Sequence, residues 1–247
     1  MIEPSIFQSM SDYVSLDQDD VTLDIGAGLG FLTRFLAEKC RSVLAVEADG
    51  RLVTVLREQL QDLPKVTIIK GNVLKIQIPE FNKVVSIPPY QISSRLLLWL
   101  FKKNIASSVL ILQKEFANRL MAPVGSEDYG WLTVLTYYNT ECERLDFVPK
   151  WVFYPQPEVD STIVRLKPRK HSPFEVTNEA LFTKLVQSIF AQRNRKVRNA
   201  IRPFLKGVLA RTDEDAETIA QRLPHCSERV RQLAPEDFGA LSNAISS

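Results

Sequence analysis

A stiff proline turn that carries a tyrosine is the stretch of this chain best suited to chemistry. The apolar residues Val84 and Val85 predict a short buried strand. Pro88 and Pro89 follow, and because neither has an N–H to donate and each fixes φ, they end that strand. Tyr90 then stands on a rigid turn, and in an open α/β sheet such a turn borders the ligand crevice. The alternative is an ordinary strand-to-helix loop with a partly buried tyrosine.

A glycine-rich turn supplies a second candidate site. The predicted strand Val21–Ile25 runs into Gly26, Gly28 and Gly30, and an amphipathic helix follows. Glycines let the backbone approach a ligand closely, and the N-terminus of a helix adds a positive field. Strand, turn and helix together predict a nucleotide-type site.

Polar residues follow the next two predicted strands. Glu47 comes about twenty residues after the glycine turn, where a carboxylate can hold a ribose diol through two charge-assisted hydrogen bonds. Asp49 is better suited to cap the helix that follows. Asn72 stands after the third strand and completes a nucleoside-shaped pocket.

Nothing near these residues resembles the phosphate-gripping lysine of a Walker motif. The predicted cofactor is therefore a nucleoside without a phosphate chain, and S-adenosylmethionine fits. NAD is the rival cofactor, but its pyrophosphate needs room, and an NAD site would leave the proline turn unexplained.

The order of the elements predicts the fold. A helical spacing over residues 2–13 precedes a regular alternation of strands and helices, which is typical of a doubly wound parallel sheet. Extended segments at 148–154 and 161–166 predict an antiparallel hairpin at the sheet edge. Beyond the linker 167–173, four segments have helical periodicity: 178–190, 196–209, 216–222 and 235–245. We therefore predict a Rossmann-like α/β domain at 1–168 and a small all-helical domain at 169–247.

Composition narrows the function classes. The 247 residues are 45% hydrophobic and 24% charged, which is typical of a globular protein with a sizeable core. The net charge is only +2, but basic residues dominate 165–211, which indicates a polyanionic partner or else a solvated helix surface. Three scattered cysteines and two distant histidines supply neither a metal site nor a disulfide framework. Without a membrane-spanning stretch or a signal sequence, we expect a reduced, cytoplasmic protein with no membrane partner.

Several motifs, in order along nearly the whole chain, resemble one known family. Asp24-x-Gly26-x-Gly28-x-Gly30, Glu47, Asn72 and Ile87-Pro88-Pro89-Tyr90 are similar to the class I methyltransferases that act on exocyclic amino groups. Further motifs resemble the small-subunit ribosomal RNA adenine dimethyltransferases (the KsgA type), and residues 91–94 are similar to archaeal members. These further motifs are Leu112-Gln113-Lys114-Glu115, Asn118-Arg119, Tyr129-Gly130, Phe153-x-Pro155-x-Pro157-x-Val159-Asp160-Ser161, Phe190-x-Gln192-Arg193 and Lys196-x-Arg198-Asn199.

The resemblance implies S-adenosylmethionine as the cofactor and assigns residues to it. The backbone at Gly26 and Gly28 would hold its methionine end, and Glu47 would hold the ribose hydroxyls. Asn72 would meet the adenine amine, and the backbone N–H of Val73 would bind the ring nitrogen N1. The full set of cofactor-binding residues implied is Asp24, Gly26, Gly28, Glu47, Asn72, Val73 and Ser86.

The resemblance also implies the reaction and its substrate. Tyr90 and Phe153 would sandwich a flipped adenine, and a carbonyl on the Pro88 turn would accept a hydrogen bond from its N6–H. Two rounds on each of two adjacent adenosines near the 3′ end of small-subunit ribosomal RNA would give N6,N6-dimethyladenosine. We expect the substrate to be an immature small ribosomal subunit and the protein to be a monomer. The expected RNA-binding residues are Lys114, Arg119, Arg193, Arg195, Lys196 and Arg198.

Three departures from the family pattern matter. The chain starts at Met1, where the Gly-Gln-x-Phe-Leu segment of the family should be ending, so the gene start is misassigned, the protein is shortened, or cofactor closure differs. Asn72 replaces an aspartate, but its amide oxygen can still accept a hydrogen bond. Ile87 replaces the asparagine of Asn-Leu-Pro-Tyr and cannot accept the second bond from the target amine.

Two alternatives to the small-subunit enzyme therefore stay open. One is a ribosome-assembly factor or RNA-binding protein on the same fold, with weak or absent catalysis. The other is a large-subunit ribosomal RNA adenine methyltransferase of the antibiotic-resistance type. The loop 155–161 and the basic C-terminal region fit that second enzyme less well.

Overall fold

A computed structural model describes residues 3–246 and contains a single seven-stranded sheet flanked by helices. The strands are β1 Val21–Ile25, β2 Ser42–Glu47, β3 Val66–Lys70, β4 Lys83–Ser86, β5 Ser107–Gln113, β6 Thr140–Val148 and β7 Ser161–Pro168. The α-helices are α1 Pro4–Tyr13, α2 Phe31–Ala37, α3 Gly50–Gln59, α4 Ser93–Leu100, α5 Lys114–Leu120, α6 Trp131–Asn139, α7 Glu179–Phe190, α8 Val197–Ala200, α9 Arg202–Gly207, α10 Asp213–Arg222 and α11 Pro235–Ser246. The helix predicted over 2–13 corresponds to α1, and Ile2 lies outside the described residues.

The sheet order is β3-β2-β1-β4-β5-β7-β6. Strands β1 to β5 pair in parallel, and β7 runs antiparallel to β5, so the predicted parallel sheet with an antiparallel edge is confirmed. The chain leaves β1 toward β2 and β3, and then returns to place β4 on the other side of β1. That reversal is a topological switch point, and in open α/β sheets ligands bind outside the carboxyl ends of the strands there.

One strand of the predicted edge hairpin was wrong. Residues 148–154 are not a strand: β6 ends at Val148, and a 3-10 turn follows at Lys150–Val152. The strand that reaches this edge, Thr140–Val148, is mostly polar and largely solvent-exposed. Its sequence therefore lacks the clear apolar alternation that marks a half-buried strand.

The predicted helix at 196–209 is two short helices, α8 and α9. Pro203 stands in the first turn of α9, where a proline needs no N–H donor, and Ile201 joins the two helices. Among the described helices, none is long and apolar enough to cross a membrane.

The chain forms two compact units, which differ from the predicted domains in one segment. The first is Met1–Ala117 with Glu141–Pro168, and the second is Asn118–Thr140 with Arg169–Ser247. Residues 118–140, predicted in the first domain, belong with the helices because their aromatic side chains pack there. The ring of Tyr138 lies 5.0 Å from the ring of Phe182, and the Tyr129 hydroxyl donates to the Leu233 carbonyl at 2.7 Å.

Candidate active site

The glycine turn lies at the carboxyl end of β1 and is fastened to β2. The N–H groups of Gly26 and Ala27 both donate to the Val46 carbonyl, at 2.8 and 3.2 Å. Gly26 has φ +75°, a backbone conformation that residues with a Cβ rarely adopt. A Cβ added to Gly26 would lie only 2.8 Å from Cδ of Pro89. The glycine turn and the proline turn are therefore in direct contact at the switch point.

Glu47 is held at the end of β2 by three backbone amides. Its Oε2 accepts from the Gly28 N–H at 3.0 Å, and its Oε1 accepts from Ala48 and Asp49 at 2.7 and 2.9 Å. Only 8% of the residue is exposed. Since an ionised carboxylate offers about four acceptor positions, about one remains for a ligand hydroxyl, on Oε2. Glu47 thus ties the second strand to the glycine turn and keeps one acceptor position open, as its predicted role toward a ribose hydroxyl requires.

Asp24 places a buried carboxyl beside the same turn. The Thr33 hydroxyl donates to its Oδ2 at 2.7 Å. The pKa of Asp24 is raised to about 7, chiefly by burial; the Thr33 hydrogen bond acts to lower it, and the charge of Glu47 adds to the rise. A cation bound next to Asp24 would favour its ionised form. The amino and sulfonium charges of S-adenosylmethionine are cations of this kind, so the residues present fit that cofactor.

A cavity of about 320 Å³ adjoins Asp24 and Gly26, within the size range of small-molecule sites. Its wall is mainly apolar, with Asp24 supplying a carboxyl side chain, and it combines the glycine turn, α1, the start of α2, the proline turn and the loop before β7. The lining residues are Phe7, Asp24, Gly26, Ala27, Leu29, Phe31, Leu32, Ile87, Phe153, Tyr154 and Pro155.

A larger cavity of about 550 Å³ lies elsewhere, against Val21 at the start of β1 and Asn82 just before β4. Ligands of parallel sheets bind at the carboxyl ends of the strands, and this cavity is at the opposite ends. We therefore assign the site to the smaller cavity.

The two aromatic residues predicted to hold a base are both half-buried. The Tyr90 hydroxyl lies 2.7 Å from the Ser161 hydroxyl at the start of β7, and burial raises the pKa of the phenol. Phe153 packs against the core of the first unit and also lines the cavity. Pro88, on the same turn as Tyr90, is buried. Ser161 was not among the predicted site residues, although it ends the Phe153 motif quoted above.

The remaining predicted cofactor residues divide into two groups. Asn72 is exposed after β3, and its Oδ1 accepts from the Leu74 N–H at 3.0 Å, which leaves one lone pair; Val73 beside it is buried. Ser86 is a correction. Its hydroxyl is fully buried, donates to the Ile25 carbonyl at 2.7 Å and accepts from the Ile25 N–H at 3.1 Å. Ser86 therefore ties β4 to β1 instead of facing a cofactor.

Of the six predicted RNA-binding cations, one is bonded to backbone carbonyls and the other five are exposed. The two NH groups of Arg193 donate to the carbonyls of Glu127 and Ser126, both at 2.7 Å, and these bonds stabilise the second unit while leaving the charge of Arg193 in place. Lys114 and Arg119 are exposed on α5. The other three predicted residues, Arg195, Lys196 and Arg198, are exposed as well.

The structure adds two cations that the sequence reasoning missed. Residues 193–198 pair with 226–231 as an irregular two-stranded ribbon, in which the Val230 N–H donates to the Arg195 carbonyl at 3.1 Å. This basic ribbon brings Arg229 and Arg231 beside the predicted cations; both are exposed, and Arg229 also donates to the Asn194 carbonyl within the ribbon. Because the two segments are about thirty residues apart, no local periodicity could reveal their pairing.

Comparison with known proteins agrees with this geometry. Residues 1–223 match the family model described as ribosomal RNA adenine dimethylase. A protein of the archaeon Methanosarcina acetivorans, named "Probable ribosomal RNA small subunit methyltransferase A", is 40% identical over 232 residues, which are 93% of this chain and 85% of that protein.

Two solved structures are similar in fold. A dimethyladenosine transferase from Plasmodium falciparum superposes with a TM-score of 0.81 at 24% identity, over 98% of this chain and 95% of that one. The 23S rRNA methyltransferase ErmE gives a TM-score of 0.70 at 24% identity, over 99% and 98% of the two chains. These two likenesses support the fold, and the family match covers most of the chain. The chain belongs to the ribosomal RNA adenine dimethylase family, whose members are S-adenosylmethionine-dependent methyltransferases.

Proposed function

We propose that this protein transfers methyl groups from S-adenosylmethionine to N6 of two adjacent adenosines near the 3′ end of small-subunit ribosomal RNA. The observation that carries the proposal is the contact between the glycine turn and the proline turn, at Gly26 and Pro89. This contact supports the proposal because the glycine turn, which would hold the cofactor, and the turn that carries Tyr90 are neighbours at one switch point. The relatives named for the small ribosomal subunit support that substrate.

The cofactor-binding part of the proposal concerns the edge formed by β1, β2 and β3. S-adenosylmethionine supplies, when bound, an electrophilic methyl group on a sulfonium. Asp24 would face its cationic part, and the backbone of Gly26 and Gly28 would hold its methionine end. Glu47 would accept from a ribose hydroxyl, and Asn72 with Val73 would meet the adenine.

The substrate-binding part concerns Tyr90 on the proline turn and Phe153 on the cavity wall. Tyr90 and Phe153 would stack on the two faces of the flipped adenine, and such stacking is worth about 1–3 kcal/mol per base. The Pro88 carbonyl would accept from the target N6–H and so hold the nitrogen lone pair toward the transferred methyl group. Placement of these groups, rather than a basic residue, would supply most of the rate enhancement.

The RNA-binding part concerns exposed cations. Lys114 and Arg119 on α5, and the basic ribbon of residues 193–198 with 226–231, would contact phosphates. The partner we propose is an immature small ribosomal subunit, bound by a monomer in the cytoplasm. We propose the two-domain division at residue 168 with the exception of 118–140, which we group with the helical domain.

A second function is favoured by one observation. Ile87 lines the cavity where the family pattern has an asparagine, and its side chain has no acceptor for the target amine. The alternative is a ribosome-assembly factor on the same fold with weak or absent methyl transfer. A buried carboxyl and a glycine turn that suit the cofactor favour the enzyme, because an RNA binder needs neither.

The test is transfer of labelled methyl groups to purified ribosomal particles. Immature small subunits and large subunits are offered separately, with Tyr90→Ala as the variant lacking the stacking ring. We expect N6,N6-dimethyladenosine near the 3′ end of the small-subunit RNA, and none with the variant. Labelling of the large subunit alone would overturn the proposal that the small subunit is the substrate. Binding to the small subunit without methyl transfer would establish the assembly factor instead.

A further inference from the structure

Aromatic side chains are exposed mainly around the candidate active site. Among residues 3–246, five aromatic side chains are more than a third exposed. Phe31 and Tyr154 line the cavity, and Phe147 and Trp151 lie in the segment that leads to it. Phe147, Trp151 and Tyr154, here called the rim aromatics, are 53%, 70% and 86% exposed. Aromatic residues with such a large exposed fraction, grouped in one place, are unusual and indicate a binding surface.

The exposure of the rim aromatics does not come from a loose loop. Val148 and Val152, which alternate with them, are buried in the core of the first unit, and Phe153 packs against that core. The Lys150 N–H donates to Oδ1 of Asp160 at 3.0 Å. The backbone is therefore held from inside while the aromatic side chains point outward.

Positive charge accompanies these rings. The Lys114 ammonium lies 5.6 Å from the centroid of the Phe147 ring, and Lys114 is exposed. The ammonium of Lys150, the residue before Trp151, donates to the Glu158 carbonyl at 3.3 Å, a bond that leaves its charge intact. Aromatic faces interleaved with ammonium groups are the arrangement that binds single-stranded nucleic acid, through base stacking and phosphate attraction.

We propose that the rim aromatics form a stacking surface for the bases that flank the target adenosine. The inference rests on the proposed function, and it deepens that function by naming how the neighbouring nucleotides are held. Tyr154 belongs both to the cavity wall and to the rim, so the surface continues directly from the site of the flipped base. A base splayed from its neighbours needs a new stacking partner, and these rings supply one.

The first experiment uses tryptophan fluorescence. The full chain is titrated with a short single-stranded RNA that contains two adjacent adenosines, and the same titration is run on Trp151→Phe. We expect RNA to quench the wild-type protein and the quenching to be largely absent in the variant, although Trp99 and Trp131 remain. Equal quenching of both proteins would overturn the proposal.

The second experiment is a thermodynamic cycle in which a protein variant and a modified RNA are tested separately and together. Trp151→Ala is expected to weaken binding of the intact RNA about tenfold, which is about 1.4 kcal/mol. With RNA that is abasic on both sides of the adenosines, we expect the variant and the wild type to bind equally. The slope of affinity against salt should not change, because the lost contact is uncharged. A tenfold loss that persists with the abasic RNA would overturn the stacking role.

Tyr137→Ala is the matched control, since Tyr137 is an exposed aromatic residue of the second unit that stacks under Arg169. It should leave affinity for the RNA within about twofold, a difference below 0.5 kcal/mol. Failure of the wild type to methylate small subunits would overturn the proposed function. The quenching and the abasic cycle measure binding alone, so they decide on the stacking surface in either case.

Discussion

The phenol oxygen of Tyr90 and the hydroxyl oxygen of Ser161 lie 2.7 Å apart. Tyr90 stands on the turn after β4, and Ser161 begins β7, so the bond joins a central turn to the antiparallel edge of the sheet. The hydrogen bond therefore holds the phenol end of Tyr90 against the first residue of β7, the strand that follows the loop carrying Phe153.

Removing this bond should lower the rate of methyl transfer more than cofactor affinity. Ser161→Ala removes one partner of a part-buried bond, which typically contributes about 0.5–1.5 kcal/mol. We expect a several-fold fall in kcat with the Kd for S-adenosylmethionine nearly unchanged. Tyr90→Phe retains the ring and should have a similar effect. In a double-mutant cycle, the loss of kcat in the double variant should be much smaller than the sum of the two single losses. Full additivity would mean that the bond does not position the ring.

The stability of the protein should depend on pH through Asp24. Its pKa rises from 3.8 to about 7 on folding. Between about pH 4 and pH 7 the folded state therefore binds a proton that the unfolded state lacks, so the contribution of Asp24 to the free energy of unfolding falls as pH rises. Asp24→Asn keeps an acceptor for Thr33 and carries no charge.

We expect Asp24→Asn to be more stable than the wild type at pH 8, by an amount on the order of 2–4 kcal/mol, with the difference shrinking toward pH 5. Urea unfolding of both proteins at each pH is the measurement. A difference that is constant with pH would contradict the raised pKa. S-adenosylmethionine should bind the wild type more tightly as pH rises through 7, since its cationic part favours the ionised carboxyl.

Ile87→Asn should increase the rate of methyl transfer if the target amine lacks an acceptor. Ile87 lines the cavity and packs partly against the core, so the asparagine would cost some stability while adding an amide oxygen there. We expect kcat to rise by at least about tenfold, because one positioned polar group is typically worth about 10²–10³ in rate. Ile87→Val, which adds no acceptor, is the control. An unchanged kcat in the asparagine variant would show that the site already has another acceptor.

Some cations of the basic ribbon should contribute to RNA binding and others to stability. Reversing Arg195 and Arg198 to glutamate should weaken RNA binding and reduce the slope of log affinity against log salt by about one to two. Arg193→Ala should instead lower the free energy of unfolding, because Arg193 binds two carbonyls of its own unit. Filter binding over a salt series and urea unfolding separate the two effects.

Arg202→Glu is the matched control for the ribbon variants. Arg202 is an exposed arginine of the same unit, and it already pairs with Glu217 at 2.7 Å. Its reversal should change the salt slope by less than that of the ribbon arginines. If the wild type, the Arg195 and Arg198 variant and Arg202→Glu all have the same slope of log affinity against log salt, the ribbon is only a solvated surface.

The sequence alone determined the parallel sheet, the glycine turn, Glu47 and the proline turn. These features depend on local chemistry: glycines with positive φ, prolines without N–H groups, and buried strands with continuous apolar residues. Each is set within a few neighbouring residues, and the motif spacing then identified the family.

Tertiary structure decided which of the polar side chains were still available. Ser86 and Arg193 have the residue types that a binding site needs, yet both bind backbone groups distant in sequence. The Tyr90–Ser161 bond, the membership of 118–140 in the helical unit and the cations Arg229 and Arg231 likewise depend on contacts between separated segments. Local periodicity carries no information about such contacts, because a hydrogen bond is set by where two segments meet after folding.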